Sequence, residues 1–282
     1  MTGDWSSYDS TVPAWNRFSP NSPHEPVEHT TQERHMSRMW VIACHEWRRL
    51  FSSPLAWACL GIVQLILGIV FWLLLAEFAT LGYTNTQVGL AEFVGGGLFG
   101  FSSIVFLIVV PLLAMRSFAE ERHSGSLELL LASPASLSQI VVGKFLGLLV
   151  FLWLMLGLTA LMPLSLQIGT NLDLGLLASA ILGVALMLAA FASAGIFVSV
   201  LCPQPVVAAL AGFGLLLVLW LLQVAGAAPG PVAALAEYLS LLSHFDALRR
   251  GVFDLADVAY YLLFCAAFLG FAIQRLTWER QA

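Results

Sequence analysis

The chain has 282 residues, 59% of them hydrophobic and only 10% charged, with a net charge of −5 and a mean hydropathy of +0.87. A soluble domain is about 45–50% apolar and about 25% charged, so one soluble core cannot hide this much apolar side chain. The acidic balance, with no basic stripe, excludes nucleic acid as a partner. Cys44, Cys59, Cys202 and Cys265 have no C-x-x-C spacing, so neither a zinc site nor a redox pair is signalled.

Residues 1–35 hold Pro13, Pro20, Pro23 and Pro26 among Ser, Thr, Asn, His and Glu, without apolar periodicity. They read as a disordered tail. They lack the apolar stretch of a signal peptide. Residues 36–282 read as one membrane domain.

Residues 38–53, "RMWVIACHEWRRLFSS", have helical spacing, with Met39, Ala43, Trp47 and Leu50 on one face and Arg38, His45, Arg49 and Ser52 on another. This pattern suits a helix lying in the membrane interface, with Arg38, Trp47, Arg48 and Arg49 as its interfacial residues.

Six apolar runs then follow, at about 54–76, 98–115, 139–164, 175–201, 206–227 and 256–274, each near the 20 residues a span requires. Ser53 and Pro54 suit the cap and first position of the first span. Ser136 and Gln139 have capping-box spacing at the third. "CPQP" (Cys202–Pro205) separates the fourth from the fifth. In the segment 228–255, Val232, Leu235, Leu239 and Leu242 share a helical face, which predicts a short helix at or in the outer membrane surface.

With a cytoplasmic N-terminus, ten of the twelve Lys and Arg lie inside and only Arg249 and Arg250 outside. The positive-inside rule therefore predicts that both termini are cytoplasmic.

Several motifs fail on context. "GGGLFG" (Gly95–Gly100) matches G-x-G-x-x-G but precedes a span and follows no strand, so it reads as a flexible span entry or as close helix packing. "HEWRR" (His45–Arg49) lacks the second histidine of a zinc protease, and "VGKF" lacks the phosphate-cradling loop. No metal site, cofactor site or catalytic residue is expected in this chain.

No Asp, Glu or Arg lies deep in a span, which disfavours an ion-coupled carrier. Lys144 sits one turn into the third span, where it can snorkel inward to the cytoplasmic surface. Gln64 and Gln223 are the notable polar residues of the spans. They line a path or bond to neighbouring helices, and the sequence leaves both readings open.

The stretch "FAEERHSGSLELLLASP" (Phe118–Pro134) concentrates charge between two spans. Placing it in lipid would cost on the order of 10 kcal/mol, so it lies outside. Ser124 or Ser126 can cap a short helix, Leu127–Ala132, which Pro134 ends. Such a helix is too short to stand alone, and its exposed acidic, leucine-rich face suits docking.

"RSFAEERHSGSLELLLASPASLSQIVVGKFLG" (Arg116–Gly147) resembles the loop between the second and third spans of ATP-binding-cassette (ABC) type-2 permeases. The shared features are an acidic run (Glu120, Glu121), Gly125, Glu128-Leu129-Leu130, Ser133-Pro134 and Gly143-Lys144, with Ser126 in place of the usual Thr. "EWRRLFSSPLAW" (Glu46–Trp57) is similar to the family's interfacial helix. "SHFDALRRGVFDLADVAYYL" (Ser243–Leu262) looks like the last outer segment of gliding-motility-type permeases.

The resemblance covers about residues 38–280. It implies an all-α, six-span permease subunit of the bacterial inner membrane, paired with a second permease subunit as homo- or heterodimer. ATP and Mg would be bound by a separate cytosolic ATPase subunit. Glu120, Glu121, Gly125, Ser126, Glu128, Leu129, Leu130, Ser133 and Pro134 would form the coupling helix region against that ATPase. The alternative is a membrane scaffold or anchor subunit of a gliding-motility or cofactor-maturation assembly, without transport.

Overall fold

The computed structural model describes residues 30–81, 89–127, 136–168, 173–226, 238–251 and 253–281, with residues 30–39, 81, 91, 92 and 168 as backbone only. The described residues form eight α-helices and no strand: α1 (Thr30–Phe51), α2 (Pro54–Leu81), α3 (Gly96–His123), α4 (Leu137–Ser165), α5 (Leu174–Leu201), α6 (Pro205–Gly226), α7 (Leu241–Arg249) and α8 (Leu255–Gln281). A π-helical turn, Ala91–Gly95, leads into α3.

Six of these helices are long and apolar enough to cross a membrane, the shortest having 22 residues. At 1.5 Å per residue that is about 33 Å, enough for a hydrocarbon core of about 30 Å. All six expected spans are present, but several helices outrun their apolar windows. α2 ends at Leu81 rather than 76, α3 at His123 rather than 115, and α8 at Gln281 rather than 274. An apolar window marks where lipid must be, whereas a helix continues into water as long as its backbone bonds are kept. α1 begins at Thr30, inside the tail expected to be disordered. No proline follows Pro26 before Pro54, and Gln32, Glu33 and Arg34 are good helix formers.

α5 is the hub. It is buried over 72% of its apolar stretch, against 11% for α2, which therefore lies at the edge of the bundle with most of its side chains exposed. Around α5 stand α3, α4, α6, α7 and α8, while α1 packs along α4. The α3–α5 crossing is close at Gly195, where a Cβ would stand 2.7 Å from that of Ala114. Small residues permit such approach, and dispersion then holds apolar helices together in lipid.

Local start signals behave in two ways. At α4 the capping box forms: Ser136 Oγ accepts from Gln139 N–H at 3.3 Å and Gln139 Oε1 accepts from Ser136 N–H at 3.1 Å. At α2, Ser53 stands before Pro54 as expected, but its hydroxyl accepts from Arg116 Nη1 instead of capping the helix. A charged donor outcompetes a backbone amide for that oxygen.

The glycines of Gly95–Gly100 belong to the π turn and the start of α3, and they serve close packing. A Cβ at Gly97 would meet Leu74 at 3.0 Å, and one at Gly100 would lie 3.4 Å from the Arg249 guanidinium. In the segment expected to hold an outer helix stands α7, capped by Ser240, whose hydroxyl accepts from Ser243 N–H at 3.4 Å; of the expected face only Leu242 lies in it, Leu239 preceding the cap. Val232 and Leu235 of that expected face lie outside the described residues.

Candidate functional site

At the end of the bundle where α1 joins α2, three helices bring six charged side chains together. α1 supplies Glu46 and Arg49, the extension of α3 supplies Arg116, Glu120 and Glu121, and α4 supplies Lys144. α1 can lie this close because residue 147 of α4 is glycine. A Cβ there would stand 2.8 Å from the Cβ of Glu46 and 3.0 Å from the carbonyl oxygen of Ala43.

The ion pairs form a closed net. Lys144 Nζ lies 2.6 Å from Glu121 Oε1 and 3.2 Å from Glu46 Oε2. Arg49 Nη1 lies 3.0 Å from Glu121 Oε1 and 3.8 Å from Glu46 Oε2, and its Nη2 is 3.2 Å from Glu120 Oε2. Arg116 Nε is 3.1 Å from Glu120 Oε2 and its Nη2 is 3.4 Å from Oε1. Three cations and three anions cancel, so the group adds no net charge to a bundle end that is partly withdrawn from water. Burial of charge is tolerated when each ion has partners, and removing one partner is costly.

Lys144 does not snorkel. It is 2% exposed, under Glu46 at 3% exposed, and stands 5.2 Å from the Phe118 ring centre. Turning inward becomes favourable because α1 covers the end of α4 and delivers a carboxylate.

The same end carries a second link: Arg122 Nη2 donates to Glu279 Oε2 at 2.6 Å, and Arg275 Nη2 stands 3.2 Å from Glu279 Oε1. The extension of α3 is thereby tied to the last turns of α8. Ser199 of α5 fastens its root. Its hydroxyl accepts from the N–H of Phe118 (3.1 Å) and Ala119 (3.0 Å), and donates to Met115 O at 3.2 Å.

The residues expected to touch an ATPase divide. Glu120 and Glu121 lie in helix α3, and the partners of their carboxylates are cations of this same chain. Glu121 Oε2 is buried and accepts no hydrogen bond among the described residues. Gly125 takes a φ of +74°, the left-handed conformation that ends α3 at low cost in a glycine. The hydroxyls of Ser124 and Ser126 donate to Glu121 O at 3.1 and 3.3 Å and so close α3; the helix they were expected to cap lies, from residue 128 on, outside the described residues. Leu127 is buried, and Glu128, Leu129, Leu130, Ser133 and Pro134 lie outside the described residues.

Of the interfacial residues, Trp47 is 41% exposed and packs edge-on against Phe51, with ring centres 5.0 Å apart. Arg48 faces out beside Trp40, Val41, Cys44 and His45. Arg49, expected on the outer face, turns into the ion net. Only the backbone of Arg38 is described, within α1.

Gln64 bonds to a neighbouring helix, its Nε2 donating to Met155 O at 2.9 Å and Thr159 Oγ1 at 3.2 Å. Gln223 lies at the opposite end, where its Nε2 donates to Asp246 Oδ2 at 3.0 Å. That end has a polar knot of its own. Arg249 Nε and Nη2 lie 3.1 and 3.0 Å from Asp246 Oδ1, and Arg249 Nη1 donates to Gly96 O at 3.1 Å. Nearby, His244 Nδ1 is 2.6 Å from Asp257 Oδ1.

Sequence reasoning passed over Glu46, Arg116 and Lys144 as a set. Two signals pointed to them: Glu46 precedes Arg49 by one helical turn, and Arg116 precedes Glu120 by four residues. In so apolar a chain, charges at span ends are the ones expected to find each other. Among the described residues no group of His, Cys, Asp and Glu is placed to hold a metal.

A search of curated proteins finds no match to the chain. The model of the family described as ABC-2 family transporter protein matches residues 40–279, most of the chain and all six spans, and the chain belongs to that family.

Proposed function

We propose that the chain is the permease subunit of an ABC transporter complex, driven by ATP hydrolysed in a separate cytosolic subunit. The observation that carries this reading is the six-charge net, which welds the extension of α3 to α1 and α4 immediately before residues 128–135. A push delivered by an ATPase at residues 125–134 would travel through this net to the first three spans. Glu128–Leu130 and Ser133–Pro134 would meet the ATPase. Glu120 and Glu121 act one step behind them, holding the docking segment in register.

The charge distribution of Lys and Arg supports placing this end in the cytoplasm of a bacterial inner membrane, with both termini inside. A second permease subunit, identical or homologous, would complete the pathway across the membrane.

The test is copurification and ATP turnover of the complex from native membranes. Glu128→Lys is expected to release the ATPase while the chain still inserts. Lys144→Met is expected to keep the ATPase bound but lower its turnover, because the net behind the docking segment is broken. Unchanged binding and turnover in both variants sinks the proposal.

A further inference from the structure

Beside the ion net lies a cleft that the net does not fill. It has a volume of about 270 Å³ and is walled by Glu46 and Arg49 of α1, the Ser52–Pro54 turn, and Arg116 of α3. Its depth in the membrane is set by its own walls: Pro54 opens the first span, and Arg116 follows the apolar part of the second. Trp57, 53% exposed, stands next to it with its Nε1 donating to Phe51 O at 2.7 Å. Exposed tryptophans with one polar contact mark the headgroup level of a bilayer.

The charges in the cleft are unevenly compensated. Arg49 faces three carboxylates and Lys144 two, whereas Arg116 faces Glu120 alone and shares even that one with Arg49. Its remaining partner is the neutral hydroxyl of Ser53. A guanidinium has about five N–H donors, of which Arg116 commits three to Glu120 and Ser53. Ser52, on the rim, is exposed, and its hydroxyl makes no hydrogen bond among the described residues. The cleft therefore offers an under-neutralised guanidinium and a free hydroxyl to an anion.

We propose that this cleft binds the phosphate of an anionic phospholipid from the cytosolic leaflet. Arg116 and Ser52 are the donors. The glycerol and acyl chains leave along the free face of α2, where Leu55, Trp57 and Ile62 are exposed and the helix is buried over only 11% of its apolar stretch. Soluble phosphate would use the same donors but would gain nothing from that apolar face. Basic pockets between helices on the cytoplasmic side suit anionic headgroups for the same reason. The inference rests on the orientation given above and is independent of ATP-driven transport, because lipid retention requires no ATPase.

The experiment places the full chain in nanodiscs of phosphatidylcholine containing a minor share of phosphatidylglycerol, and counts retained lipids by native mass spectrometry. The expected result is selective retention of phosphatidylglycerol. Ser52→Asp adds an anion to the cleft without removing any ion pair, and is expected to lower that retention about fivefold, corresponding to ~1 kcal/mol per charge at the headgroup. Arg116→Gln is expected to lower it further; if that variant fails to fold, Ser52→Asp still decides. Equal retention of the two lipids, or retention unmoved by Ser52→Asp, overturns the proposal. Displacement of the lipid by inorganic phosphate overturns the lipid assignment in favour of a soluble anion. Intact lipid retention together with lost ATPase coupling would count against the proposed function and not against this site.

Discussion

Replacing Lys144 with Met removes one charge from the net while keeping a side chain of similar length. Lys144 is 2% exposed and bridges Glu46 and Glu121 at 3.2 and 2.6 Å, so its loss leaves two carboxylates facing one another without their shared cation. Breaking a buried pair costs about 3–5 kcal/mol. Arg49 still faces Glu121 at 3.0 Å and Glu46 at 3.8 Å, which puts the expected loss near the low end of that range. A loss of about 3 kcal/mol lowers the melting temperature of a chain of this size by roughly 6–12 °C. Thermal unfolding of the purified protein in detergent, followed by intrinsic fluorescence, reads this directly. The double variant Lys144→Met with Glu46→Gln removes the pair together, and it should be more stable than the sum of the single losses by about 1–3 kcal/mol. A melting temperature unmoved by Lys144→Met, or single effects that add to within about 0.5 kcal/mol, would show that the two side chains do not interact as the structure has them.

Further substitutions probe the other contacts. Gly147→Ala places a Cβ against the backbone oxygen of Ala43 and should cost about 1–3 kcal/mol, whereas Gly157→Ala meets nothing within 4 Å and should be neutral or stabilising; comparing their melting temperatures isolates the α1–α4 approach. Gln64→Leu removes two hydrogen bonds to α4 and should cost about 0.6–1.7 kcal/mol, measured by the same unfolding transition, with no change in ATP turnover if the residue is only a packing contact. Ser199→Ala strips the hydroxyl that receives two N–H groups of α3 and should cost about 1–3 kcal/mol, seen also as faster hydrogen exchange at Phe118 and Ala119. Arg249→Ala leaves Asp246 and Gly96 O without their charged donor, and a loss of about 1.5–3 kcal/mol is expected in thermal unfolding; no loss would mean that water replaces the guanidinium freely.

Much of the architecture was legible before any coordinates. Six apolar runs named six membrane-spanning helices because lipid offers the backbone no partner outside a helix. The capping box at Ser136 and Gln139 was equally readable, since both its hydrogen bonds span three residues and depend on nothing distant. Ser53 had the same credentials as a cap and was captured by Arg116, a residue 63 positions away that no local rule can see. Glu120 and Glu121 read as a solvent-facing acidic run for a partner, because sequence shows a charge but not the charge opposite it.

The sequence by itself determined that the chain lives in a membrane, how many times it crosses, and which few charges have to be accommodated. These follow from composition and from periods of a few residues. The tertiary structure decided where those charges go. Only the packing of α1 against Gly147 brings Glu46 over Lys144, and only the extension of α3 past its apolar run brings Glu120 and Glu121 to Arg49. The physical reason is range. Hydrophobic periodicity and helix capping are patterns written along the chain within a turn or two. An ion pair acts within about 4 Å in space, and which helix ends come that near is settled by how the helices cross.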